Sequence, residues 1–230
     1  MSAHPGADHR VAPPDNGPMS GPHLTRRAPA GAPRGVVLML HGGAEHNTDP
    51  VDGRNRAWLR SRVMMRQLQR GWHDDGLAVW LLRYTVRGWN HAGDGPHLPS
   101  PVPDARWALE QVRATYGETP VVLVGHSMGG RTAAAVADDP AVAGVVALAP
   151  WFPEGEPVAP LAGRMLLAAH GRKDEITSYA ATRAFVARAA QVATRAELTD
   201  MGEVGHYMIS GARRWNRFAA GAVTQILSTR

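Results

Sequence analysis

Val121-Val-Leu-Val-Gly-His-Ser-Met-Gly-Gly130 is the stretch from which the fold of this chain can be read. Four apolar residues, three of them β-branched, stop at Gly125, and Ser127 stands two positions further on. Gly129-Gly130 then opens a run of small residues, Arg131-Thr-Ala-Ala-Ala-Val-Ala137, suited to a helix. The pattern predicts a strand buried on both faces that turns sharply into a helix, with Ser127 at the apex. Such a turn leaves almost no room for side chains beside the apex, so Gly125 and Gly129 fit where they stand. It lifts the hydroxyl above the end of the sheet and sets a helix N-terminus beneath it. The amide of Met128 is left free to donate to a developing negative charge.

The segments on either side repeat the alternation. Gly35-Val-Val-Leu-Met-Leu40 and Leu77-Ala-Val-Trp-Leu-Leu82 are apolar runs of strand length, as are Val142–Leu148 and Arg164–His170. Between them, helices are expected over Asn55–Arg70, stopped by Gly71, and over Asp104–Tyr116, with Asp104 as N-cap. Further helices are expected over Thr177–Gln191 and Met208–Leu227, and a short strand over Arg195–Leu198. Strands alternating with helices predict a mostly parallel sheet covered on both faces, with ligands outside the carboxyl ends of its strands. The loops starting near His41, Arg83, Ser127, Ala149, Gly171 and Leu198 then share one edge. Residues 1–34, rich in Pro, Gly, Ala and His, read as a flexible or loosely docked arm with one edge strand near His23–Arg27. Residues 35–230 read as one domain, for which the length is sufficient.

These features resemble the α/β-hydrolases, and the resemblance extends over roughly residues 35–230. It implies the α/β-hydrolase fold: a mostly parallel central sheet, helices on both faces and, in this chain, no cap domain. Lidded members insert a domain after the strand that follows the nucleophile helix, and here Ala149–Gly163 is too short for one. A serine hydroxyl needs a base within hydrogen-bond reach, and the base needs a carboxylate to fix its tautomer. In the family's order the acid follows the nucleophile and the histidine comes last. Asp174 in His170-Gly-Arg-Lys-Asp174 and His206 in Gly202-Glu-Val-Gly-His206 match those places. Ser127, Asp174 and His206 are therefore the expected catalytic residues, with Glu175 as a rival acid. His126 and His170 are expected to be structural.

The second oxyanion donor should lie in the loop after the first central strand. His41-Gly-Gly-Ala-Glu-His46 resembles the His-Gly-x-x-Glu-His loop of the monoacylglycerol-lipase and serine-aminopeptidase branch, which implies the amide of Gly43 beside that of Met128, with Ala44 as fallback. His41 by the same analogy braces the loop. Trp151, Phe152 and Trp89 are expected to rim an open substrate site, with Trp58 nearby.

The resemblance implies a cofactor-independent serine hydrolase acting on carboxylic esters of small or flexible acyl groups. An acyltransferase, thioesterase or peptidase would use the same residues, and some proteins of this fold bind ligands with little turnover. His73, Asp74, Asp75, His91, Asp94 and His97 lack recognisable ligand spacing, so no metal is expected. The net charge of +5 rests on arginine, Lys173 being the single lysine. The row Arg62, Arg66 and Arg70 has the spacing of a solvated helix face, and neither nucleic acid nor membrane is an expected partner. Oligomeric state is not legible. The chain has no cysteine, which excludes disulfides and thiolate metal sites. No signal peptide is visible, and a cytoplasmic location is expected.

Overall fold

The computed structural model describes residues 21–91 and 98–229. The apolar runs form strands because each is covered on both faces. β2 (Gly35–Leu40) and β4 (Val121–His126) are buried along their whole length. β6 (Met165–His170) is likewise buried throughout, and β3 (Leu77–Arg83) and β5 (Val142–Leu148) are buried at all but one position each. β1 (His23–Arg27) and β7 (Arg195–Asp200) close the two edges, and β7 shows the exposure expected of a half-covered edge strand. The sheet order is β1-β3-β2-β4-β5-β6-β7, with β1 antiparallel to β3 and every other pair parallel.

Among the described residues, four α-helices lie between strands, α1 (Arg56–Asp74), α2 (Pro101–Tyr116), α3 (Met128–Ala135) and α4 (Tyr179–Ala189), and α5 (Ala212–Ser228) follows the last strand. The strand order decides where each lies. From β2 the chain steps outward to β3 through α1, then returns across β2 to β4 through α2. Right-handed crossovers running in opposite directions put α1 and α2 on opposite faces. Each subsequent crossover continues in the direction of α2, so α3 and α4 join its face. α5 returns to pack on β5, β4 and α1. The direction of travel switches between the neighbouring strands β2 and β4. Their carboxyl ends therefore diverge into a crevice, where such sheets place their ligands.

The helix bounds correct several expectations. α1 runs through Gly71 to Asp74, because Trp72 is buried and the turn that carries it must continue. α2 begins at Pro101, not Asp104, because a proline in the first turn lacks only an N–H that the helix would leave unbonded. Asp104 is thereby freed from capping, and its carboxylate accepts from the Thr85 amide at 2.7 Å and hydroxyl at 3.0 Å. β7 extends to Asp200, two residues beyond expectation. Within 149–163 the regular structure is one 3-10 turn, Ala159–Leu161, so no cap domain is present. Among the described residues, no helix is long and apolar enough to cross a membrane.

Candidate active site

β4 hands over to α3 at Ser127, whose backbone sits at φ 55°, ψ −120°. That left-handed conformation is costly for a residue with a Cβ, on the order of 1–3 kcal/mol, and persists only where the surroundings enforce it. The enforcement is visible. The Ser127 amide donates to the Leu148 carbonyl at 3.1 Å, and its carbonyl accepts from Gly130 at 3.0 Å and Trp151 at 3.1 Å. A Cβ on Gly125 would collide with the carbonyl of Gly129, and one on Gly129 with the carbonyl of Leu40. Both glycines are dictated by close backbone approach at the crevice between β2 and β4.

The loop leaving β2 closes over the same point. A Cβ on Gly42 would come within 3.2 Å of the Ser127 Cβ. Gly43 lies against the Met128 thioether and the Arg87 carbonyl, with no room for a side chain. The Ala44 amide donates to Arg87 at 2.9 Å and is spent. Among the described residues no acceptor takes the Gly43 amide. His41, fully buried, braces this loop: Nδ1 donates to the Gly42 carbonyl at 2.6 Å, and Nε2 accepts from the Tyr84 amide at 3.3 Å. Burial pulls its pKa down to about 4, the Gly42 bond opposing and Arg83 assisting, so the ring is neutral near pH 7.

His206, on the loop between β7 and α5, reaches the serine. Its Nε2 lies 3.1 Å from the Ser127 Oγ, and its Nδ1 lies 2.8 Å from Asp174 Oδ2. An ionised carboxylate only accepts, so Nδ1 carries the hydrogen and Nε2 is left to take one from the serine. Asp174, just past β6, has a fully buried side chain. Burial opposes its ionisation. Hydrogen bonds from His170, His206 and the amides of Thr177 and Ile176 outweigh that, and hold its carboxyl well below the usual carboxylate range. The rival Glu175 is exposed.

Two further histidines are fixed around this line. His170 donates through Nε2 to Asp174 Oδ2 at 3.0 Å and accepts at Nδ1 from the Thr182 hydroxyl at 2.8 Å. His126 donates through Nε2 to the His206 carbonyl at 3.0 Å. Its pKa falls to about 3, chiefly through burial and then through the neighbouring His206. Thr177, which the sequence did not single out, adds its hydroxyl to Asp174 Oδ2 at 3.0 Å. Its signal was present in the spacing: Asp174 and Thr177 are three residues apart, as in a side-chain-capped turn.

The aromatic residues fall differently from expectation. Phe152 is only 2% exposed and stacks on Phe185 of α4 with ring centroids 3.8 Å apart, so it belongs to the core and not to a rim. Trp89, 4% exposed, and the half-buried Trp151 hold the Arg131 guanidinium between them, at 3.8 and 4.4 Å. Arg131 also makes a buried ion pair with Glu156, Nη2 to Oε2 at 2.6 Å. Trp89 is thus committed to a clamp joining the nucleophile helix to the loop after β5, and only Trp151 retains partial exposure. Trp58 is core. His73 and Asp74 end α1, with Asp75 its C-cap, at the opposite sheet edge from His91. Asp94 and His97 lie outside the described residues.

Comparison with known proteins agrees with this architecture. No curated protein matches the chain significantly by sequence. A serine hydrolase without lid from Xanthomonas campestris superposes with TM-score 0.60 at 18% identity, over 90% of this chain and 88% of that one. Est1E from Butyrivibrio proteoclasticus, solved with ferulic acid bound, gives 0.65 at 13% identity, over 90% and 96%. Butyrate-bound esterase 2 from Thermogutta terrifontis gives 0.67 at 16% identity, over 89% of each chain. At such identities the likeness speaks for the fold. The profile of the Alpha/beta hydrolase family matches residues 37–227, and the chain belongs to that family of hydrolases.

Proposed function

We propose that the protein is a serine hydrolase that cleaves carboxylic esters of small or flexible acyl groups through an acyl-enzyme. The observation that carries this is the hydrogen-bonded line from Ser127 Oγ through His206 to the buried Asp174 carboxylate. In the first half-reaction Ser127 Oγ bonds to the acyl carbon as its proton passes to His206 Nε2. Asp174 holds the imidazole in the required tautomer and stabilises the imidazolium. The oxyanion is met by the amides of Met128 and Gly43, at the start of α3 and beside it. Collapse expels the alcohol, which takes the proton from His206. Water then gives a proton to His206 and attacks the acyl carbon. Release of the acid returns the proton to Ser127.

The bound ferulic acid and butyrate of the two structural neighbours are small acids, which supports small acyl groups here. So does a segment after β5 too short to form a cap. The test is turnover of p-nitrophenyl esters of graded chain length by the wild-type and Ser127→Ala proteins. Sustained turnover of short esters that vanishes in Ser127→Ala is the expected result. Equal hydrolysis by both proteins would remove Ser127 from the mechanism.

A further inference from the structure

The early turns of α1 face the same sheet edge as His206. Arg60, half-buried, places its guanidinium 4.5 Å above the Tyr207 ring, whose centroid is 5.5 Å from that of His206. Its positive field reaches as far as the buried His126 beside the nucleophile. Among the other buried and half-buried arginines, Arg131 takes Glu156, Arg113 takes Asp139, Arg106 takes Asp138 and Arg87 lies near Asp49 and Asp52, while Arg164 donates to the Ala137 and Asp139 carbonyls and Arg62 lies over the Trp58 ring. Arg60 has no carboxylate among the described residues. Neither has Arg83, which ends β3 at this edge and lies 5.8 Å over Trp58. A guanidinium cannot shed its charge, so partial burial without a counter-ion is a standing cost that an arriving anion would offset. Its planar fork suits a carboxylate held through two parallel hydrogen bonds.

We infer that the substrate carries a carboxylate, and that Arg60 binds it at the mouth of the Ser127 site. This rests on the proposed ester hydrolysis and narrows its substrate class to acidic esters. Stacking on Tyr207 alone would give Arg60 a different role, that of steadying the His206 loop. Its loss would then lower kcat on every ester alike, whereas loss of an anion site raises KM for acidic esters selectively.

The experiment compares p-nitrophenyl hexanoate with mono-p-nitrophenyl adipate, equal in chain length and different in the terminal carboxylate. A third ester, the hexanoate of 4-hydroxybenzoic acid, carries the carboxylate on the leaving group and is compared with phenyl hexanoate. Preference for the acidic member of either pair in wild type is expected, and the pair concerned tells which side of the ester Arg60 meets. In Arg60→Gln that acidic-to-neutral ratio of kcat/KM should fall by about tenfold or more, through KM. Arg60→Lys should keep part of it as a point charge. A ratio unchanged in Arg60→Gln, or no acidic preference in wild type, overturns the inference. Should no ester turn over, calorimetric binding of monomethyl adipate to the Ser127→Ala protein with and without Arg60→Gln still decides it. Failure of the triad is read separately, from labelling of Ser127 by a fluorophosphonate.

Discussion

Asp174 carries the densest set of contacts around the candidate site. Its Oδ2 accepts from His206, His170 and Thr177, and its Oδ1 from the amides of Ile176 at 2.9 Å and Thr177 at 2.8 Å. A carboxylate so supplied stays ionised and oriented without relying on solvent. Asp174→Asn would keep the shape but could present an N–H to His206 and favour the wrong tautomer. Ester turnover should fall by about 10⁴-fold with the fold intact, as measured by steady-state kinetics beside circular dichroism. His170 acts one step removed. His170→Phe removes one donor from the same oxygen and should lower kcat/KM by about 10- to 100-fold, the equivalent of the ~1.5–3 kcal/mol that a hydrogen bond to a charged group contributes. The sequence pointed to Ser127, Asp174 and His206 through their order and loop placement, and the three side chains lie within hydrogen-bond reach of one another in line. A hydrogen-bonded structural role for His170 was legible from its place at a strand end, but its partners Asp174 and Thr182 were not, because the sequence does not say which way the ring turns.

The elements around the serine are held by close contact, not by propensity. α3 is only eight residues long, and it is fixed by its glycines and by the Arg131 clamp to Trp89, Trp151 and Glu156. Gly129→Ala would drive a methyl group into the Leu40 and His41 carbonyls. A loss of about 3 kcal/mol or more is expected by urea unfolding, or failure to accumulate folded protein. Glu156→Gln leaves the guanidinium buried without its counter-charge and should cost about 3 kcal/mol, and the loop after β5 should become more open to proteolysis. Strands and the glycine-framed turn were legible because apolar runs and glycines act locally. The clamp was not, since Trp89, Arg131 and Trp151 lie far apart in sequence and single tryptophans read equally as rim or core. The start of α2 was misjudged for a local reason: Ser100-Pro101 is a good helix opening, yet Asp104 competed for the same role.

At the scale of the whole molecule, acid sensitivity follows from two neutral, buried histidines. His41 and His126 have folded pKa values lowered to about 4 and about 3, against 6.5 for an unperturbed group. The unfolded chain therefore binds more protons than the folded one below pH 6.5. The stability these groups contribute is fully present above that value and drains away as pH falls toward 4, by at most about 1.4 kcal/mol per pH unit for each. Asp174, lowered by its hydrogen bonds, adds a further loss as pH falls through the ordinary carboxylate range. Urea midpoints should thus be level from pH 8 to 7 and fall steeply from 6 to 4. His41→Asn should lower the midpoint near pH 7 while flattening that fall. The sheet order and crossover rule bring six loops, distant in sequence, to one edge, and the strand–helix alternation made that topology readable before any side-chain geometry. The central claim, that this edge activates Ser127, is tested most directly by fluorophosphonate labelling with peptide mapping of the adduct. Labelling confined to Ser127 and abolished in His206→Ala is the predicted result. Folded wild-type protein that takes no label, or takes it equally in His206→Ala, would contradict the account.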